Sequence, residues 1–144
     1  MIRVQDEPIR IEGLLDAARG DGDGAVAIFV GTVRDHHEGR AVARLEYHAY
    51  REMAEAEMRT LAERAVERHG VTRVVAAHRV GMLAVGDVAV AVAVASPHRA
   101  EALAACSWFV EALKRTVPIW KREHGPAGEV WLEGHPGDGE PPQS

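Results

Sequence analysis

Pro118 lies inside the most cationic stretch of the chain, Leu113-Lys114-Arg115-Thr116-Val117-Pro118-Ile119-Trp120-Lys121-Arg122-Glu123. A proline in a helix interior removes a backbone donor and clashes with the preceding turn. No single helix can therefore carry both Lys114 and Lys121. The segment is predicted to fold as a helix ending near Lys114 and Arg115, a turn at Pro118, and an extended piece bearing Lys121. Two lysines then reach one region from two elements. Four of these eleven residues are cationic, in a 144-residue chain of formal net charge −5. Such a cluster suits an anionic substrate or a lysine with a chemical role. A plain basic last turn, favoured by the helix dipole, fits the same residues.

The chain is long enough for one domain with a real core, expected over residues 1–134. Residues 135–144 are rich in Pro and Gly and are expected to be a disordered tail. The acidic balance argues against general nucleic-acid binding, which usually shows a basic face. A single cysteine, Cys106, excludes an intramolecular disulfide and fits a reducing cytoplasm. No signal pattern opens the sequence. The longest apolar run, Val88 to Ala95, is too short to span a bilayer.

Strands are predicted at Ile2–Val4, Ala25–Val33, Val42–His48, Val71–Val80, Val88–Ala95, Ile119–Glu123 and Glu129–Glu133. Helices are predicted at Ile11–Arg19, at Met53–His69 with Gly70 as its cap, and from Ser96 to about Arg115. Asp35–Arg40 reads as a loop, and Gly81 to Gly86 as a short connection. The order, βα, ββα, ββα, ββ, indicates an α+β sandwich with mostly antiparallel strands rather than a doubly wound sheet.

Three places invite chemistry. Ser96-Pro97-His98-Arg99 reads as a helix start, with Ser96 as the cap and Pro97 in the first turn. Its free amides attract anions, and His98 and Arg99 stand against the dipole unless an anion compensates them. The alternative is a capped helix that binds nothing. Gly31-Thr32-Val33-Arg34-Asp35 closes an apolar strand, and Arg34 offers a planar fork to a phosphate or carboxylate. A surface pair of Arg34 with Asp35 or Glu38 is the competing reading. His36, His37 and His48 lack a recognised ligand spacing, so no metal is expected. Cys106 is expected in the core rather than as a nucleophile.

Taken together, Phe29-Val30-Gly31-Thr32-Val33-Arg34-Asp35, Ser96-Pro97-His98-Arg99, Leu113-Lys114 and Pro118-Ile119-Trp120-Lys121-Arg122-Glu123 resemble the large, catalytic subunit of molybdopterin synthase. Tyr47-His48-Ala49-Tyr50 and His78-Arg79-Val80-Gly81 fit the same pattern. The resemblance covers about Val26 to Glu133 and implies a hammerhead-like α+β sandwich. It implies a sulfurtransferase of molybdenum cofactor biosynthesis that makes the dithiolene of molybdopterin from cyclic pyranopterin monophosphate. The sulfur would come from a thiocarboxylate on the C-terminal Gly-Gly of a small ubiquitin-like partner. No cofactor is implied.

By motif, Lys114 and Lys121 would be catalytic, and Thr32, Val33, Arg34, His98, Arg99, Arg122 and Glu123 would bind substrate. Glu123 would orient a lysine or assist proton transfer; a surface salt bridge with Arg122 is the alternative. Helical rise places His98 roughly 24 Å from Lys114 along one straight helix. One small pterin cannot bridge that span. Either two copies form a homodimer with composite sites, each holding a carrier subunit in a heterotetramer, or one cluster is not catalytic. A non-catalytic module that binds an anionic metabolite and regulates a partner is the competing function.

Overall fold

The computed structural model describes residues 1–126 and 128–132; the expected tail at 135–144 lies outside the described residues. The elements run β1 (Ile2–Gln5), α1 (Ile11–Ala18), β2 (Ala25–Thr32), β3 (His36–His37), β4 (Arg40–Ala41), β5 (Arg44–Ala49), α2 (Arg51–His69), β6 (Arg73–Arg79), β7 (Gly81–Ala84), β8 (Val88–Ser96), α3 (Arg99–Thr116), β9 (Ile119–Gly125) and β10 (Gly128–Trp131). They build an α+β fold with two four-stranded sheets, ordered β1-β6-β8-β2 and β10-β9-β5-β7. Among the described strands only β1 and β6 pair in parallel.

Strand β8 explains the layering of the first sheet. Its side chains alternate, with Val92 and Val94 on one face and Ala91, Ala93 and Ala95 on the other. The valine face packs against α2 and α3, where Met58, Leu61 and the fully buried Phe109 complete the main core. The alanine face receives the short helix α1 through Leu14 and Ala18. Small residues there leave room for a helix backbone, so one strand supports helices on both faces. Cys106 is buried in the main core, and burial pushes its thiol up from its ordinary value.

Three local differences from the sequence reading have physical causes. Ser96 is not a helix cap. It closes β8, opposite Ala25 of β2, and is 1% exposed. The sheet ladder claims it, so α3 begins only at Arg99, with His98 at the cap position and no side-chain cap bond. The expected loop at Asp35–Arg40 contains the two-residue hairpin β3–β4, closed by Glu38 (φ 50°) and Gly39 (φ 79°). Two successive positive φ angles give a turn whose twist matches the flanking strands. That hairpin carries the chain from one sheet to the other, so β2 and β5 never pair. Gly81–Ala84, read as connection, is β7 on the edge of the second sheet.

Strand β9 sits between β5 and β10, with Glu46 opposite Arg122 and Tyr47 opposite Lys121. Period-two alternation sends Arg122 and His124 to one face and Lys121 and Glu123 to the other. On the first face Glu46 is 9% exposed and accepts bonds from Arg122 (2.7 and 3.0 Å), His124 (2.8 Å) and His48 (2.6 Å). Arg122 also lies 4.9 Å over the Trp131 ring and 3.5 Å from Glu129, which ties β10 to the sheet. Burial alone would raise the Glu46 pKa, but these donors override it and hold the carboxyl at about 2.

A carboxylate depressed on folding stabilises the protein above its unfolded pKa, and that contribution disappears as pH falls through the folded value. The Glu46 contribution should therefore be full above about pH 4.5 and lost toward pH 2. Glu46→Gln should lower stability at pH 7 by about 1–2 kcal/mol, because it removes the carboxylate that Arg122 bonds to twice. It should also flatten the acid limb of the stability curve. Urea melts at pH 7 and pH 3 check both; equal slopes in the two proteins would exclude this role.

Candidate active site

Lys114 sits in the last turn of α3, which stops at Val117, whose N–H donates to the Leu113 carbonyl at 3.1 Å. Pro118 follows, where no donor is required, and Ile119 opens β9. The chain thus reverses from helix to strand within three residues, as Pro118 demands. Both lysines line one cavity of about 510 Å³. Thr32 and Arg34 contribute its wall from the end of β2, where the β2–β8 register shifts between Gly31 and Thr32. His36 and His37 of the hairpin and Glu123 of β9 line it as well. Tyr47 and His78 also line it.

The electrostatics are one-sided. Among the described residues, no carboxylate forms an ion pair with Arg34, Lys114 or Lys121. Asp35 is taken by His36 at 2.7 Å, and Glu38 lies near Arg40 and His37, so the expected surface pair of Arg34 does not form. Lys121 remains in contact with solvent, but the concave walls surround it with protein. That partial burial, then Lys114 and Arg34, lower its pKa, while Glu123 acts weakly the other way.

His78 is 5% exposed, and burial pulls it down to about 4, so the ring is neutral. Its Nδ1–H donates to the Arg79 carbonyl at 2.7 Å, which leaves Nε2 as an acceptor. Tyr47 stands edge-on to it at 5.0 Å, and burial raises the phenol to about 12.

Glu123 does not form the surface pair with Arg122 that was the alternative to a role beside a lysine. It is 5% exposed and is gripped from the hairpin by Arg40 Nη2 at 2.8 Å and His37 Nδ1 at 2.9 Å. Gly125 permits this approach: a Cβ there would collide with the carbonyl of Ala41. Arg122 points to the other face of β9, toward Glu46, and does not line the cavity. Val33 is buried beneath the site with Leu45, Tyr47 and Leu83. His98 and Arg99 are exposed at the far end of α3, outside the cavity. Arg34, Lys114, Lys121, Thr32 and Glu123 are therefore brought together, and His98, Arg99, Arg122 and Val33 are not.

Sequence reasoning did not single out His37, Arg40, Tyr47 or His78 for the site. The alternation of β5, with Leu45 and Tyr47 on one face, was the available signal for Tyr47. Nothing local marked Arg40 as the partner of a residue 83 positions away. His36, His37 and His48 go to Asp35, Glu123 and Glu46 respectively. Among the described residues no group of three or more ligating side chains surrounds a metal position.

Known proteins resemble this chain in sequence and in fold. The family described as MoaE protein matches residues 4–116. The molybdopterin synthase catalytic subunit 1 of Mycobacterium tuberculosis is 40% identical over 134 residues, covering 93% of this chain and 91% of that protein. The molybdopterin synthase catalytic subunit of Pyrococcus abyssi is 41% identical, covering 89% and 86%. The crystal structure of molybdopterin synthase from Staphylococcus aureus superposes with a TM-score of 0.87 at 36% identity, covering 90% of this chain and 95% of that one. Agreement over nearly the whole length, in sequence and in fold, places this chain in the MoaE family of molybdopterin synthase catalytic subunits.

Proposed function

We propose that this chain performs the sulfur-transfer step of molybdopterin synthase at the cavity between β2, α3 and β9. The observation that carries the reading is a set of three cations, Arg34, Lys114 and Lys121, without carboxylate partners among the described residues of an acidic chain. The substrate, cyclic pyranopterin monophosphate, and the donor tail, a thiocarboxylate, are both anions. A concave pocket rich in cations attracts both and holds them together.

The donor is a small ubiquitin-like sulfur-carrier subunit whose C-terminal Gly-Gly enters the cavity beside Lys114. Glycines pass a narrow channel that side chains would block. The thiocarboxylate sulfur bonds to a pterin carbon as a carbon–oxygen bond there breaks, and the departing oxygen keeps the bonding pair and takes a proton from a lysine. Water then adds to the acyl carbon, the carbon–sulfur bond breaks, and the carrier leaves as a carboxylate. The tetrahedral oxyanion formed on the way needs a positive group beside it, and Lys114 or Lys121 supplies one. A lysine with a lowered pKa also gives up its proton more readily. Thr32 and Arg34 hold the substrate. Arg122 and Val33 act by holding β9 and the cavity floor in place.

His98 and Arg99 serve the cavity of a second copy. Arg99 and Lys114 are fifteen residues apart on one helix, roughly 22 Å by helical rise, too far for one small pterin. The assembly is a homodimer with two composite sites, each holding one carrier subunit. Among the described residues no helix is long and apolar enough to cross a membrane. A cytoplasmic location accords with the single buried thiol of Cys106. The chemistry needs no metal, so a chelator should leave turnover unchanged.

Lys114→Ala and Lys121→Ala should each lower dithiolene formation by on the order of 100-fold or more while leaving the melting temperature near that of the parent. The assay combines the protein, thiocarboxylated carrier and cyclic pyranopterin monophosphate. Near-normal turnover in both variants would exclude the assignment.

The trans arrangement has its own check. Arg99→Ala chains mixed with Lys114→Ala chains should recover up to about half the activity per mixed dimer, since one of its two pockets is whole. No recovery, with mixed dimers confirmed by native mass spectrometry, would place both residues in separate subsites of one protomer.

A further inference from the structure

We infer that Arg40, assisted by His37, is a positioning residue that holds Glu123 away from Lys121 and so keeps Lys121 without a counter-ion. The inference deepens the proposed reading of Lys121 as a reacting group and rests on it. Glu123 and Lys121 share one face of β9, two residues apart, and both line the cavity. An unrestrained glutamate at that spacing, in a pocket of cations, would pair with the nearest ammonium. It does not: both of its oxygens are committed to the β3–β4 hairpin, Oε1 to Arg40 at 2.8 Å and Oε2 to His37 at 2.9 Å.

The geometry of the hairpin serves that grip. His37 and Arg40 are directly opposite each other across the two-residue turn, so their side chains leave the same face together. Ala43 N–H donates to the His124 carbonyl at 2.8 Å, which fixes the hairpin stem against β9. Arg40 Nε is buried with no partner among the described residues. Leaving that donor unmade is a cost that the charged bond to a nearly buried carboxylate offsets.

The consequence falls on Lys121. Facing it are Arg34 from the end of β2, Lys114 from α3, Tyr47 from β5 and His78 from β6, with His36 and His37 on the hairpin side. Of these, Tyr47 and His78 are neutral near pH 7. Glu123 is the sole carboxylate among the described cavity residues, and Arg40 and His37 absorb its charge. If the grip were released, Glu123 would turn to Lys121, stabilise the ammonium and reduce the free amine at neutral pH.

The test reads the Lys121 amine directly, in the full-length protein. Acylation by acetic anhydride across pH 6–11, followed by peptide mass spectrometry, gives its titration midpoint. Arg40→Gln should raise that midpoint by about one pH unit, and Arg40→Lys should restore most of the parent value. Glu123→Gln should lower it. In the Glu123→Gln background, Arg40→Gln should have little further effect, because Arg40 then has no carboxylate to restrain.

An unchanged midpoint in Arg40→Gln overturns the inference. So does an equal upward shift in the Glu123→Gln background, which would mean that Arg40 acts on Lys121 by its own charge. Should Arg40→Gln fail to fold, His37→Gln is expected to move the midpoint upward by a smaller amount, and no movement there overturns the inference. Turnover is scored separately: a parent protein that makes no dithiolene with carrier and pterin refutes the functional reading, whatever Lys121 titrates at.

Discussion

Strand β9 carries charge on both of its faces, and each face is held by a nearly buried glutamate. On one side Glu46 gathers Arg122, His124 and His48. On the other, Glu123 is held by Arg40 and His37 while Lys121 is left open. The pleat of a single strand thus separates Arg122, held in a satisfied ionic network, from Lys121, the next residue, which has no carboxylate partner among the described residues. The first network fixes the strand. The second leaves a cation where a substrate anion can meet it.

The placement depends on elements that do not touch the cavity. The alanine face of β8 lets α1 sit close, while its valine face seats α2 and α3. That packing fixes the axis of α3 and hence the position of Lys114 at its end. Pro118 then turns the chain immediately into β9. The pairing of β9 with β5 sets Lys121 opposite Tyr47. Lys114 and Lys121 meet because a helix end and a strand start are joined by the shortest turn a proline allows.

Much of this was legible in the sequence, where the signal was local. The helix–turn–strand around Pro118, the amphipathic α2 with its Gly70 cap (φ 69°) and the mostly antiparallel α+β architecture all follow from spacing and turn chemistry. Ser96 misled because its neighbours make a good cap signature, while the competing demand, pairing with Ala25, comes from 71 positions away. Glu123 beside Arg122 in sequence suggested a pair; alternation in a strand sends them to opposite faces instead. The hairpin at His36–Ala41 hid in a polar stretch because two residues per strand give no period to read. Arg40 and His37 therefore entered the site unannounced. For Ser96 and Glu123 the deciding partners, Ala25 and Arg40, come from 71 and 83 positions away, and short-range pattern carries no trace of them.

On the proposed function, the phosphorylated pterin and the sulfur donor meet in the cavity between β2, α3 and β9. Footprinting the chain's amines with acetic anhydride, with and without cyclic pyranopterin monophosphate, tests it most directly. Selective protection of Lys114 and Lys121 is expected, and it should increase when the carrier subunit is added. Equal acylation of both lysines under all conditions, with ligand binding confirmed independently, would contradict it.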